Sequence, residues 1–181
     1  MYLFELSEYR KDGRIAKYAK ELITLIKANN KDGIIVLSNR IFTDCANYLI
    51  SSFNLKIPEL HLNLLNHESY TKLFDKWDSL LGKIPRRYAF IVGDRFGSPP
   101  EIYVDFEAIF NSTGQPINFL INLIACYVEE LVHSADPSKS ETEIHQTVCD
   151  ALEGFAEVKL TEEIRKNRLE HSREVDGKKI S

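Results

Sequence analysis

The 181-residue chain contains no uninterrupted apolar run approaching the ~18 residues of a membrane span. The nearest stretch begins at Ile117 and is broken by Asn118, Asn122 and the pair Glu129-Glu130, so no membrane association is expected. The three cysteines, Cys45, Cys126 and Cys149, form no disulfide-framework pattern and no Cys-x-x-Cys pair. Cys126 and Cys149 lie in apolar helical surroundings and read as small core residues. The first residues, Met1 to Glu8, lack a basic region followed by a long apolar run, so no signal peptide is expected. No Gly-Lys-Ser/Thr follows Gly93 to Gly97, which excludes a phosphate loop there. Basic charge is not in excess: the net charge is -4. Arg86-Arg87 reads as a solvated pair, and nucleic acid is not an expected partner. There is no internal repeat and no low-complexity segment. A soluble, cytoplasmic protein is expected, with one domain long enough to bury a substantial core.

What is present reads as a single α+β domain: a mainly helical half over 1–86, strands, a buried helix and an acidic second helix over 87–168, and a charged tail over 169–181. Met1 to Leu6 suits a short strand. Asp12-Gly13 is a turn, and Ile15, Tyr18, Ala19, Leu22 and Ile26 then repeat as an amphipathic helix ending near Asn29 to Gly33. Ile34 to Leu37 reads as a short buried strand, with helix as the alternative. A helix capped by Ser38 or Asn39 then runs to Phe53. Leu55 to Leu65 is ambiguous. Tyr70, Leu73, Phe74, Trp77, Leu80 and Leu81 place a helix over 67–81. Arg87 to Val92 and the alternating run Glu101 to Glu107 form an expected hairpin, which leads through Asn111 to Pro116 into a buried helix with Pro116 in its first turn. Asp136-Pro137 stops that helix. A further helix is expected from Ser140 to about Arg168, followed by a fraying tail.

The helix from Ile117 to Asp136 is apolar nearly all round. One polar line nevertheless runs down it: Asn118, Asn122, Glu129, His133 and Asp136, at steps of four, seven, four and three. Carboxylates and an imidazole on a buried helix are costly unless they are paired, hydrogen-bonded or metal-bound. On the next helix, Glu141, His145, Val148 and Leu152 share a face that borders Ile144 and looks inward. Glu143 falls on a polar side with Thr147 and Asp150. Ser140 and Glu143 also match a capping box, in which Glu143 returns to the backbone at Ser140. Glu141 is therefore favoured over Glu143 as the residue that joins the polar line, although an acid there also complements the helix dipole.

The segment Glu129-Glu130-Leu131-Val132-His133 resembles the His-Glu-x-x-His motif of zincin metallopeptidases, with glutamate in the place of the first histidine. The order around it, strand hairpin, motif helix, short turn and second acidic helix, is similar to that of the small gluzincins over roughly Tyr88 to Phe155. The resemblance implies a zinc ion held by Glu129, His133 and Glu141, with His145 as a further ligand or a support to one. It also implies Glu130 as the general base toward a peptide or protein substrate, with the strand Glu101 to Glu107 lining the cleft. Two carboxylates neutralise zinc more than one carboxylate and two imidazoles do, so the implied peptidase activity is weak or lost.

Two readings therefore stand side by side: a zinc-binding, zincin-like protein, and a non-catalytic interaction module whose polar line is a metal-free buried network. A carboxylate-bridged di-iron site is disfavoured, because Glu130 to His133 supplies a single Glu-x-x-His. His61 and His67 read as surface residues, and Trp77 as core.

Overall fold

The computed structural model describes residues 4, 8–81, 87–93 and 99–180. Among them, in order, are α1 (Arg14–Lys27), α2 (Lys31–Phe53), β1 (His61–Leu65), α3 (His67–Leu81), β2 (Ala89–Val92), β3 (Glu101–Asp105), α4 (Phe106–Thr113), α5 (Pro116–Ala135), α6 (Glu141–Gly154) and α7 (Glu162–Ile180). The fold is α+β. A three-stranded sheet of order β1-β3-β2 lies beside a helical core, with β1 parallel and β2 antiparallel to β3.

Helix α5 is the axis of the molecule. Every residue from Phe119 to Val128, and Glu130 to Val132 beyond it, is buried. It is contacted by α1, α2, α4, α6 and β2. Nearly all-round burial follows from its nearly all-round apolar sequence, and Pro116 occupies the first turn where a missing N–H costs nothing. Asn122 joins the N-terminal segment to it. The Asn122 Oδ1 accepts from the Phe4 N–H at 2.7 Å, and its Nδ2 donates to the Phe4 carbonyl at 3.0 Å. The strand expected over Met1 to Leu6 otherwise lies outside the described residues, as do Arg86 and most of the loop Gly93 to Pro100.

Three local expectations are corrected. Ile34 to Leu37 belong to α2, which is capped by Asn30 rather than Ser38 or Asn39, with Oδ1 accepting from Gly33 N–H at 2.8 Å. An apolar run of four carries no period of its own. The neighbours supply it: Leu37, Ile41, Cys45 and Leu49, four apart, are buried, whereas Val36 is 67% exposed. Second, the single helix expected beyond Ser140 is two helices. A Cβ at Gly154 would come 2.0 Å from the Tyr48 hydroxyl, so a larger residue there would require the Tyr48 side chain to move. Glu157 then takes a left-handed turn (φ 59°), and Val158 bridges back to Tyr9. Third, the expected fraying tail is α7, a helix packed on α6.

The hairpin of β2 and β3 forms as expected, with Ala89 opposite Val104 and Val92 opposite Glu101. β3 ends at Asp105, however, and α4 begins at Phe106. β3 is also the central strand, paired on both sides, so its backbone has no free edge to offer a peptide.

Asn122→Ala should remove the two hydrogen bonds that Asn122 makes to the Phe4 peptide groups at a site 3% exposed. A loss of about 2 kcal/mol is expected in chemical denaturation, the cost of leaving buried backbone groups unsatisfied.

Candidate functional site

The last turns of α5, the start of α6 and the middle of α7 meet in a charged cluster. α5 contributes Glu129, Glu130 and His133, and α6 contributes Glu141 and His145. The capping box at Ser140 is formed, with Glu143 Oε2 accepting from Ser140 N–H at 2.9 Å, which leaves Glu143 at the surface and turns Glu141 inward to 2% exposure. Asp136 is not part of the cluster. Its Oδ1 accepts from Ser138 N–H within the α5–α6 turn.

Two arginines complete the cluster. Arg168, on α7, donates from Nη2 to Glu129 Oε2 at 3.1 Å and from Nε to His145 Nδ1 at 3.1 Å. Arg87, just before β2, places Nη1 3.6 Å from Glu129 Oε1 and donates from Nη2 to Glu141 Oε1 at 3.2 Å. Glu129 thus has a guanidinium on each oxygen. The other oxygen of Glu141 lies 3.8 Å from His133 Nε2 and 3.9 Å from His145 Nε2. Neither arginine was read from the sequence as a site residue. Arg87 passed for half of a solvated pair, and Arg168 for the end of a helix entering a loose tail. The available signal was the acids themselves, since buried carboxylates require counter-ions. The spacing Ile164, Arg168, Ser172, Asp176 also marks one inward face.

Proton affinities follow from this packing. Burial, and then the neighbouring charge of Glu129, push the Glu130 carboxyl up to about 8. Burial and then the Arg168 charge push His145 down to about 4. Burial opposes the charge of Arg87, but Glu129 and Glu141 outweigh it and hold the guanidinium protonated. Near neutral pH Glu130 and His145 are therefore neutral, while the guanidiniums of Arg87 and Arg168 face Glu129 and Glu141.

Ligand atoms of Glu129, Glu141 and His145 lie within 4.8 Å of one another, so proximity alone would allow a metal. The chemistry of the donors does not fit one in this arrangement. A guanidinium only donates, so His145 Nδ1 accepts from Arg168 and the neutral ring keeps its proton on Nε2. Neither nitrogen then offers a lone pair to zinc. Both carboxylates already face guanidiniums, and a buried dication would add charge with nothing to offset it. Glu130 is buried, and burial favours its protonated form.

Arg87 also lines a second feature, a cleft of about 760 Å³ between α3 and α4. Its walls include Tyr70, Phe74, Tyr88 and Asn111. At its rim the His67 ring is 2.7 Å from the buried Asp105 carboxylate, through Nδ1. Asp105 also caps α4 by accepting from Ala108 N–H. His67 was read as a surface residue, and its side chain is 60% exposed, but it has a fixed partner. His61 is exposed on β1. Tyr70 and Phe74 are core, and Trp77 is half-buried. No helix among the described residues is long and apolar enough to cross a membrane. Compared with known proteins, the chain matches no family model, no curated protein and no solved structure.

Glu130 and His145 give a pH signature. A carboxyl raised in the folded state holds a proton that the unfolded chain releases, so stability falls as pH rises from the unfolded value toward about 8. His145, lowered to about 4, acts in the opposite sense, but only below its ordinary value of 6.5. From pH 6.5 to 8 the Glu130 effect stands without that opposition. Urea denaturation should show stability declining across this interval, and Glu130→Gln, which is neutral at every pH, should flatten the decline. An equal slope in both proteins would mean that Glu130 is ionised in the folded state.

Proposed function

We propose that this chain is a non-catalytic binding module on a zincin-like scaffold, in which two arginines take the place that a metal occupies in the peptidases it resembles. The observation that supports this reading is the pairing of Glu129 with Arg87 and Arg168, together with the Arg168 bond to His145 Nδ1. It satisfies the charges of the motif without an ion. The partner in this reading is a peptide or protein held in the cleft beside Arg87, where aromatic walls and a few fixed polar groups suit a side chain better than a polyanion. A cytoplasmic setting belongs to the same proposal; the three cysteines are free and buried, as suits a reducing compartment.

The zinc-dependent reading has one observation on its side, the proximity of the Glu129, Glu141 and His145 ligand atoms. In that reading Glu129, His133 and Glu141 hold the ion, His145 assists, and Glu130 serves a weak peptidase.

Elemental analysis and zinc titration of protein purified without a metal-affinity tag separate the two. The binding-module reading expects no stoichiometric zinc. One zinc per chain, lost in His145→Ala, would establish the metal reading instead. A degenerate peptide library passed over the immobilised chain should leave a retained pool, and Asn111→Trp, which fills the cleft from an exposed position on α4, should release it. If nothing is retained, the peptide-partner assignment falls.

A further inference from the structure

The rim of the cleft between α3 and α4 is built where the N-termini of the two helices meet. Helix N-termini ordinarily favour an anion, because their first N–H groups point outward and the dipole is positive there. Here the chain supplies the acceptors itself. Glu107 Oε2 accepts from the His67 N–H at 2.8 Å, at the start of α3. Asp105 Oδ1 accepts from the Ala108 N–H at 3.1 Å, in the first turn of α4. The Asn66 side chain accepts from the Ser69 N–H at 2.8 Å. Donors that an incoming phosphate or carboxylate would use are thus taken from within.

What remains at the rim is negative charge. Among the described residues, Glu68, Asp105 and Glu107 line the cleft against a single guanidinium, that of Arg87, which is already paired with Glu129 and Glu141. Asp105 also orients the His67 ring through Nδ1 at 2.7 Å. In the neutral ring this leaves the lone pair on Nε2, an acceptor. A protonated ring would lessen the negative charge of the lining without reversing it. Glu68 holds Lys72 in an exposed pair at 2.6 Å, a contact worth little in water and readily exchanged for another cation.

The walls beside this rim are aromatic. The Tyr70 and Phe74 rings stack with centroids 6.1 Å apart, and Phe90 packs edge-on against them at 5.5 and 5.8 Å, which fixes both. Tyr88 is half-buried next to Arg87. Aromatic walls beside acids suit a long side chain with an apolar stem and a cationic end. The stem packs on the rings, while the charge meets the carboxylates and gains cation–π attraction where it passes a ring face.

We propose that the cleft selects its peptide partner by a basic side chain, lysine or arginine. The side chain lies along the cleft, with its stem against Tyr70, Phe74 and Tyr88 and its charge at Glu68, Glu107 and His67. The proposal rests on the binding-module reading and adds which residue of the partner the cleft reads.

The test uses the intact chain, immobilised, and short synthetic peptides blocked at both ends so that only side chains carry charge. Pools with one fixed lysine, arginine, glutamate or leucine are compared. The lysine or arginine pool should be retained at least about threefold over the glutamate and leucine pools, and added salt should weaken that retention. Glu107→Gln keeps an acceptor for the His67 N–H and removes the charge. It should weaken binding of a retained basic peptide about threefold, as expected for one partly exposed ion pair. Glu107→Lys should weaken it further, and should bind the same peptide carrying glutamate at its basic position more tightly than the wild type does. Equal retention of all four pools, or preference for glutamate or leucine, overturns the proposal while leaving a peptide partner in place. No retention from any pool overturns both. If the Glu107 variants do not fold, Glu68→Gln, at an exposed position on α3, carries the same expected loss. Unchanged affinity for the basic peptide in a folded variant of either acid removes the cleft as the site that reads the charge.

Discussion

The structure depends on how acids are kept between α5 and α6. Glu129, Glu130 and Glu141 stand near one another where water is scarce, and three ionised carboxylates there would repel strongly. The fold resolves this by two separate means. Glu130 keeps its proton, and Glu129 and Glu141 are faced by Arg87 and Arg168. Each arginine comes from a different part of the chain, one before the hairpin and one from the last helix. The ion pairs therefore connect the sheet, the central helix and the C-terminal helix. Buried ion pairs are not strong stabilisers relative to apolar packing, but removing one partner is costly, since the other charge is left behind. The cluster specifies the arrangement of these elements more than it strengthens them.

Arg87 gives the cluster a connection to the surface. The same side chain pairs with Glu129 and Glu141 and lines the cleft between α3 and α4. Tyr70 extends the link: its hydroxyl donates to the Arg87 carbonyl at 2.6 Å, and its ring is part of the cleft wall. A ligand that shifts Arg87 would disturb the ion pairs of α5 and α6, so cleft and cluster form one electrostatic unit. This is the physical basis on which the proposed binding reading treats the two together.

Much of this was legible in the sequence where a period, a cap or a burial conflict could be read. The all-round apolar pattern identified α5 as central. The capping box separated Glu143 from Glu141, and helical phase turned Glu141 and His145 inward. What failed had no local signal. Ile34 to Leu37 is too short to carry a period, and its helix is set by residues four apart on either side. The end of α6 is followed by a left-handed Glu157 and a bridge from Val158 to Tyr9, a partner far away in the chain. The central position of β3 depends on a parallel partner from an ambiguous stretch. Arg87 and Arg168 were hidden because an arginine's sequence neighbours do not show whether its guanidinium faces solvent or a distant carboxylate.

Glutamate at position 129 has a physical logic of its own. An imidazole there would offer one lone pair, enough for a metal or for a single donor. A carboxylate offers two oxygens, and both are used: Oε1 faces Arg87 and Oε2 accepts from Arg168. An imidazole cannot receive two guanidiniums in this way, and in its protonated form it would repel them. A carboxylate at position 129 is therefore what the two arginines require. Sequence and geometry agree on this point, because helical phase turns Glu129 toward the same face as Glu141, and there its two oxygens let both guanidiniums be paired.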